Sequence, residues 1–272
     1  SGPIDMPDKT ASEGLFDLPY GFVSQHMSHV ATRSGVPVGF WRSVGHSHHA
    51  FFSESFIDEL AATTKQDPLA FRLKWLQDAP RYAAVLRLAA DQAGWGKPLP
   101  AGRAQGIALH KSFGSIVAQV AEVSMTAGRV QVHRVTCAID CGPVVNPAIV
   151  RAQMESGIIY GLSAALYGEI TLANGAVEQG NFPDYDAVRL ADAPVMSVHL
   201  VDSGASTVGG VGEPGTPPAV GSVWGEVGER ARKALLKLTR QSAESELRLQ
   251  KFLEAMQASP NGVVLLDASW HI

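Results

Sequence analysis

Apolar residues recur at three- and four-residue steps between positions 50 and 63, where Phe51, Phe52, Phe56, Ile57 and Leu60 share a period that predicts a helix with one apolar face. Pro68 opens a second helical run over 69–78, which ends before Pro80. A third, over 81–93, is closed by Gly94-Trp95-Gly96. From Arg103 the period changes. Residues 106–110 and 116–125 read as strands, and Gly128-Arg129 reads as a hairpin turn into a strand over 130–139. The stretch 140–147 breaks the sheet. A helix is expected from Ala148 to Leu166, with Gln153, Gly157 and Gly161 at steps of four, a spacing that lets a backbone or a ligand come close. Strands over 169–172, 175–178 and 196–201 complete an alternation of the α+β class, behind a turn-rich segment over residues 1–50.

Composition narrows the function classes. A chain of 272 residues with 46% hydrophobic content buries a sizeable core. A net charge of -4 and a pI near 6.1 argue against a nucleic-acid surface. No apolar run approaches the roughly 20 residues of a membrane span. The start, Ser1-Gly2-Pro3, has no signal-peptide character and reads as processed or excised. Cys137 and Cys141 alone cannot hold an iron–sulfur cluster or a closed zinc site, so they read as ordinary thiols. His46, His48 and His49 are poorly spaced for a helical metal site, with only Glu54 nearby as a carboxylate, so no metal ligand is assigned.

The densest local signal is Val208-Gly209-Gly210-Val211-Gly212-Glu213-Pro214-Gly215-Thr216-Pro217-Pro218. Four glycines and three prolines in eleven residues exclude a helix or a central strand. Either this is a surface turn carrying a solvated glutamate, or its backbone is specified so closely in order to aim Glu213. Arg42, on a loop just before a helix, is placed to hold an anion by bidentate donation or to form an ordinary salt bridge. Gln153 faces either a ligand or solvent.

Taken in order, Trp41-Arg42-Ser43-Val44-Gly45-His46-Ser47 with Glu54-Ser55-Phe56-Ile57-Asp58-Glu59-Leu60, then Ile139-Asp140-Cys141-Gly142 with Asn146-Pro147 and Gln153, then residues 211–218, resemble the C-terminal half of the molybdenum-binding large subunit of the xanthine oxidase family. The nearest type is the isoquinoline 1-oxidoreductase beta subunit, a group that includes aldehyde dehydrogenase and aldehyde oxidase large subunits. The resemblance implies a molybdenum-cofactor-binding fold over residues 1–223. It implies oxidation of an N-heteroaromatic or aldehyde substrate with water as the oxygen source. Glu213 matches the family's general base beside molybdenum. Gln153 matches a glutamine on the pterin of molybdopterin cytosine dinucleotide, and Arg42, Gly45 and Gly212 match its surroundings. Val44 stands in the substrate pocket where xanthine-type members stack an aromatic ring, so purine stacking is not expected.

The family's large subunit is far longer, and the glycine-rich half of its cofactor site has no counterpart here. The resemblance therefore implies a second contributor to the site, supplied by the missing half or another chain, and iron–sulfur clusters on a small partner subunit. Residues 224–272 resemble something else: a charged linker helix with coiled-coil-like spacing, then the first strand of a PAS domain of a phosphate-regulon-type sensor histidine kinase. Two readings stay open at this level. One is part of a molybdenum oxidoreductase, cytoplasmic or periplasmic; the other is a non-catalytic fragment or chimera oligomerising through its C-terminal helix.

Overall fold

The computed structural model describes residues 10, 12–30, 39–126 and 129–223. All belong to the first of two units into which the chain divides, Ser1–Gly228. The charged helix expected after residue 223 and the PAS-like start lie outside the described residues. Helices α1 (Val44–Thr63), α2 (Pro68–Trp75) and α3 (Pro80–Ala93) precede a meander of β1 (Arg103–Ser112), β2 (Ser115–Thr126) and β3 (Arg129–Asp140). Helix α4 (Pro147–Leu166) and a small hairpin of β4 (Leu172–Ala173) and β5 (Ala176–Val177) then lead to β6 (Val195–Leu200). Helix α5 (Thr216–Val223) follows. The main sheet has the order β1-β2-β3-β6, antiparallel except that β6 returns parallel to β3. This is the mixed helix-and-sheet class the sequence predicts. None of these helices is long and apolar enough to cross a membrane.

Local chemistry sets the helix ends. Asp67 accepts from the Ala70 amide at 2.9 Å and Asn146 from that of Ala148 at 3.0 Å, each followed by proline at the first helical position. Both sheet faces are covered. Ile116, Ala118 and Val120 of β2 meet Ile57, Leu86 and Ala89, while Val117, Ala121 and Val123 meet Met154, Ile158 and Leu162. A strand buried on both sides is apolar at nearly every position, so β2 reads as a continuous run.

Three expectations need correction. Thr216, Pro217 and Pro218 lie in the stretch read as excluding a helix, yet they form the first turn of α5, where a proline's missing N–H removes no helical hydrogen bond. The strands expected over 169–172 and 175–178 shrink to two-residue arms around Asn174 and Gly175, whose φ angles of 51° and 80° make a tight hairpin turn. The apolar period also misassigns α1, which starts at Val44, not near residue 50. Its Phe52 and Phe56 are 56% and 58% exposed, while Ala50, Ser53, Glu54, Ile57 and Ala61 are buried. The reason is close packing and polar satisfaction. A methyl on Gly221 of α5 would lie 3.4 Å from Glu54 Cβ. The Glu54 carboxylate receives the Tyr20 hydroxyl at 2.7 Å, the Leu109 amide at 2.7 Å and Arg72 Nε at 3.0 Å. A carboxylate with this many donors is buried at little cost, which no count of apolar residues detects.

Candidate active site

The loop after β6 is pressed onto the sheet by its glycines. The Gly209 amide donates to the Cys141 carbonyl at 2.8 Å, and the Gly210 amide to that of Phe113 at 2.7 Å. Ser115 Oγ donates to the Gly210 carbonyl at 2.6 Å and Gln119 Nε2 to that of Gly215 at 2.8 Å. A methyl on Gly209 would sit 2.3 Å from Ser115 Oγ. On the other side, methyls on Gly157 and Gly161 would lie 3.0 Å from Gly215 Cα and 2.7 Å from the Thr216 carbonyl oxygen. The four-residue spacing on α4 thus admits a backbone, as its small residues predict. The thiols of Cys137 and Cys141 are free and buried nearby.

Glu213 comes out of this loop half-buried. Its Oε1 accepts the Ser43 amide at 2.9 Å, and its own carbonyl accepts the Ser43 hydroxyl at 2.8 Å. Its Oε2 has no partner among the described residues. Arg42 grips the neighbouring residue: Nε donates to the Gly212 carbonyl at 3.0 Å, Nη2 donates to the same oxygen, and Nη1 donates to Ser156 Oγ at 3.1 Å. The guanidinium also lies 5.4 Å from the Tyr160 ring, which packs against Trp41. Of the two readings of Arg42 from spacing, the ordinary salt bridge is not what the structure holds. Its acceptors are neutral, and it has no ion-pair partner among the described residues.

The turn entering α1 is strained. Ser43 and Val44 both have left-handed backbones, with φ of 72° and 45°. For a β-branched residue this is rare, and such conformations cost about 1–3 kcal/mol each. Ser43 also makes no side-chain cap for α1, a bond ordinarily worth about 1 kcal/mol. Its hydroxyl is given to Glu213.

The structure brings together Arg42, Gly212 and Glu213, with Gln153 alongside, while Val44, the next residue after Ser43, is half-buried. Gln153 is half-buried and makes no side-chain hydrogen bond among the described residues. Its Oε1, 3.9 Å from where a methyl on Gly212 would sit, is that position's nearest neighbour, so the Gly212 face is open. Gly45 does not belong to this group. A methyl there would meet the Thr10 carbonyl oxygen at 2.7 Å and the Glu13 amide at 3.2 Å, so this chain's own backbone fills that space. Ser43, Ser156 and Tyr160 were not singled out from sequence. Ser156 and Tyr160 lie three and seven residues after Gln153, a spacing that puts them on its helix face.

Beneath the site, His46 Nδ1 and His110 Nε2 are 3.0 Å apart. His110 is buried, and burial, reinforced by His46 and His49, pushes its pKa down to about 3. An unfolded histidine titrates near 6.5, so below that pH the unfolded chain holds a proton the folded one lacks. Stability therefore falls with pH, by about 2 kcal/mol between pH 6.5 and 5 for this group. Urea unfolding at pH 7 and pH 5 checks this, with His110→Gln expected to flatten the dependence. Equal stability of the parent at both values would refute it.

Residues 76–194 match the model of the molybdopterin cofactor-binding domain. The chain is 36% identical over 199 residues to isoquinoline 1-oxidoreductase subunit beta of Brevundimonas diminuta, covering 71% of this chain and 25% of that protein. It is 34% identical over 220 residues to a membrane-bound aldehyde dehydrogenase [pyrroloquinoline-quinone] of Gluconacetobacter polyoxogenes, covering 71% and 28%. The chain thus spans about a quarter of the length of these relatives. Among solved structures, the aldehyde oxidoreductase of Desulfovibrio desulfuricans shares the fold, with a TM-score of 0.57 and 12% identity over 68% of this chain and 38% of that one.

Proposed function

Since the chain belongs to the molybdenum-binding large subunits of the xanthine oxidase family, we propose that it forms part of a hydroxylase that oxidises an N-heteroaromatic or aldehyde substrate. The substrate carbon loses hydrogen and gains an oxygen from water, releasing two protons and two electrons. The observation that carries this reading is the Glu213 carboxylate, fixed at Oε1 by the Ser43 amide, with no partner for Oε2 among the described residues.

The residues present suit the cofactor: an open Gly212 face and, among the described residues, a Gln153 amide with no side-chain hydrogen bond and an Arg42 charge with no carboxylate partner. When bound, molybdopterin cytosine dinucleotide supplies the centre that accepts the two electrons. Glu213 Oε2 receives the proton given up by water, a role that requires an acceptor held within hydrogen-bond reach. Gln153 and Gly212 border the pterin, and Val44 borders the substrate. A valine offers no ring to stack on, so the substrate is held by its edges. An iron–sulfur small subunit carries the electrons away, and a further segment or chain completes the cofactor site.

Turnover of isoquinoline or an aldehyde by the complete enzyme in ¹⁸O-labelled water tests the reading. The oxygen in the product is expected to carry the label. Label arriving from dioxygen instead would sink the proposal.

A further inference from the structure

We propose that Ser43 is the positioning residue that aims Glu213, an inference that rests on reading Glu213 as the base. Ser43 is fully buried and reaches Glu213 twice across 170 positions of sequence. The hydroxyl holds the Glu213 main chain and the amide holds one carboxylate oxygen, so Oε2 is the oxygen left to act.

The left-handed backbone is what makes the double contact. In the extended conformation usual before a helix, a serine turns its side chain toward the helix's own first amides. Here φ of 72° accompanies an amide and a hydroxyl that both engage the same residue of another loop. Val44 continues the strain at φ 45°, and its carbonyl accepts Ser47 Oγ at 2.7 Å, which anchors the turn from the helix side. Arg42 holds Gly212, so residues 42 and 43 clasp residues 212 and 213 in sequence order. Two strained residues kept where glycine is the natural occupant mark a backbone retained for what it positions.

Ser43→Gly is the informative variant. Glycine adopts this backbone without strain and keeps the amide, while the hydroxyl is lost and the turn is free to relax. In the complete molybdenum enzyme, Ser43→Gly is expected to lower kcat about tenfold, with KM and molybdenum content unchanged, because a small misplacement of a reacting group is costly in rate. Thermal unfolding is expected at the same temperature or higher, the opposite of what a purely structural serine would give. A crystal structure of the variant is expected to show the Glu213 carboxylate displaced from the Ser43 amide. In a Glu213→Gln background the tenfold loss should vanish, since residues acting as one unit are not additive. Parental kcat in Ser43→Gly, an undiminished loss in the glutamine background, or an unmoved carboxylate would each overturn the inference. If Glu213→Gln alone turned over like the parent, the reading of the base would fail first, and the crystal structure alone would decide whether Ser43 holds that carboxylate.

Discussion

Replacing Glu213 by glutamine is expected to lower turnover of the complete molybdenum enzyme by about two to four orders of magnitude, the usual range for loss of a general base. The substitution is close to isosteric. An amide oxygen at the Oε1 position still accepts the Ser43 amide, now 2.9 Å away, and the main-chain bond from the Ser43 hydroxyl is untouched. What disappears is the second oxygen's capacity to take a proton, since an amide nitrogen there only donates. Rates are to be compared at equal molybdenum loading, so that a folding or cofactor-binding defect is not mistaken for chemistry. Turnover within a few-fold of the parent would show that Glu213 is a structural cap on the turn before α1.

The largest stability effect is expected at Arg72. Its side chain is fully buried, donating to Glu54 at 3.0 Å, to the Glu54 carbonyl at 3.1 Å and to Asp58 at 2.6 Å. Burial pushes the Glu54 carboxyl up from the ordinary carboxylate range, while Arg72, the Tyr20 hydroxyl and the Leu109 amide pull it back. Arg72→Met keeps much of the volume but takes the cation from the buried Glu54, which keeps the Tyr20 and Leu109 donors, and removes the side-chain partner of Asp58. Breaking such a pair costs about 3–5 kcal/mol. Urea unfolding of the full chain measures it. Adding Glu54→Gln should recover part of the loss, because the stranded charge is removed with its partner. A cost below about 1 kcal/mol for Arg72→Met would mean that the network is not rigidly dry.

Glu54 and Asp58 also show how a motif divides. Both lie in a stretch that supports the family resemblance, yet they serve the core between α1, α2 and β1. Residues 41–45 divide as well: Arg42 and Ser43 clasp the glutamate loop, while Gly45 makes room for Thr10 and Glu13. Motif membership was legible in the order of residues. The division of labour within each motif depends on the direction each side chain takes from a folded backbone.

What the sequence determined by itself was everything that depends on near neighbours along the chain. Pro68 favours a helix start, glycine at 94 ends a helix, and the change of period at Arg103 marks the strands. The crowding of glycine and proline around Glu213 likewise singled it out, because no other backbone chemistry allows so close an approach. Only the tertiary structure decided what meets across long separations. That Ser43 takes a left-handed turn, that its hydroxyl leaves the helix for Glu213, that Arg42 spends its donors on the Gly212 carbonyl, and that Glu54 is inside while Phe52 is outside follow from contacts between segments far apart in sequence. Such choices are settled by which donors and acceptors the packed sheet and helices leave available, and that inventory exists only after the chain has folded.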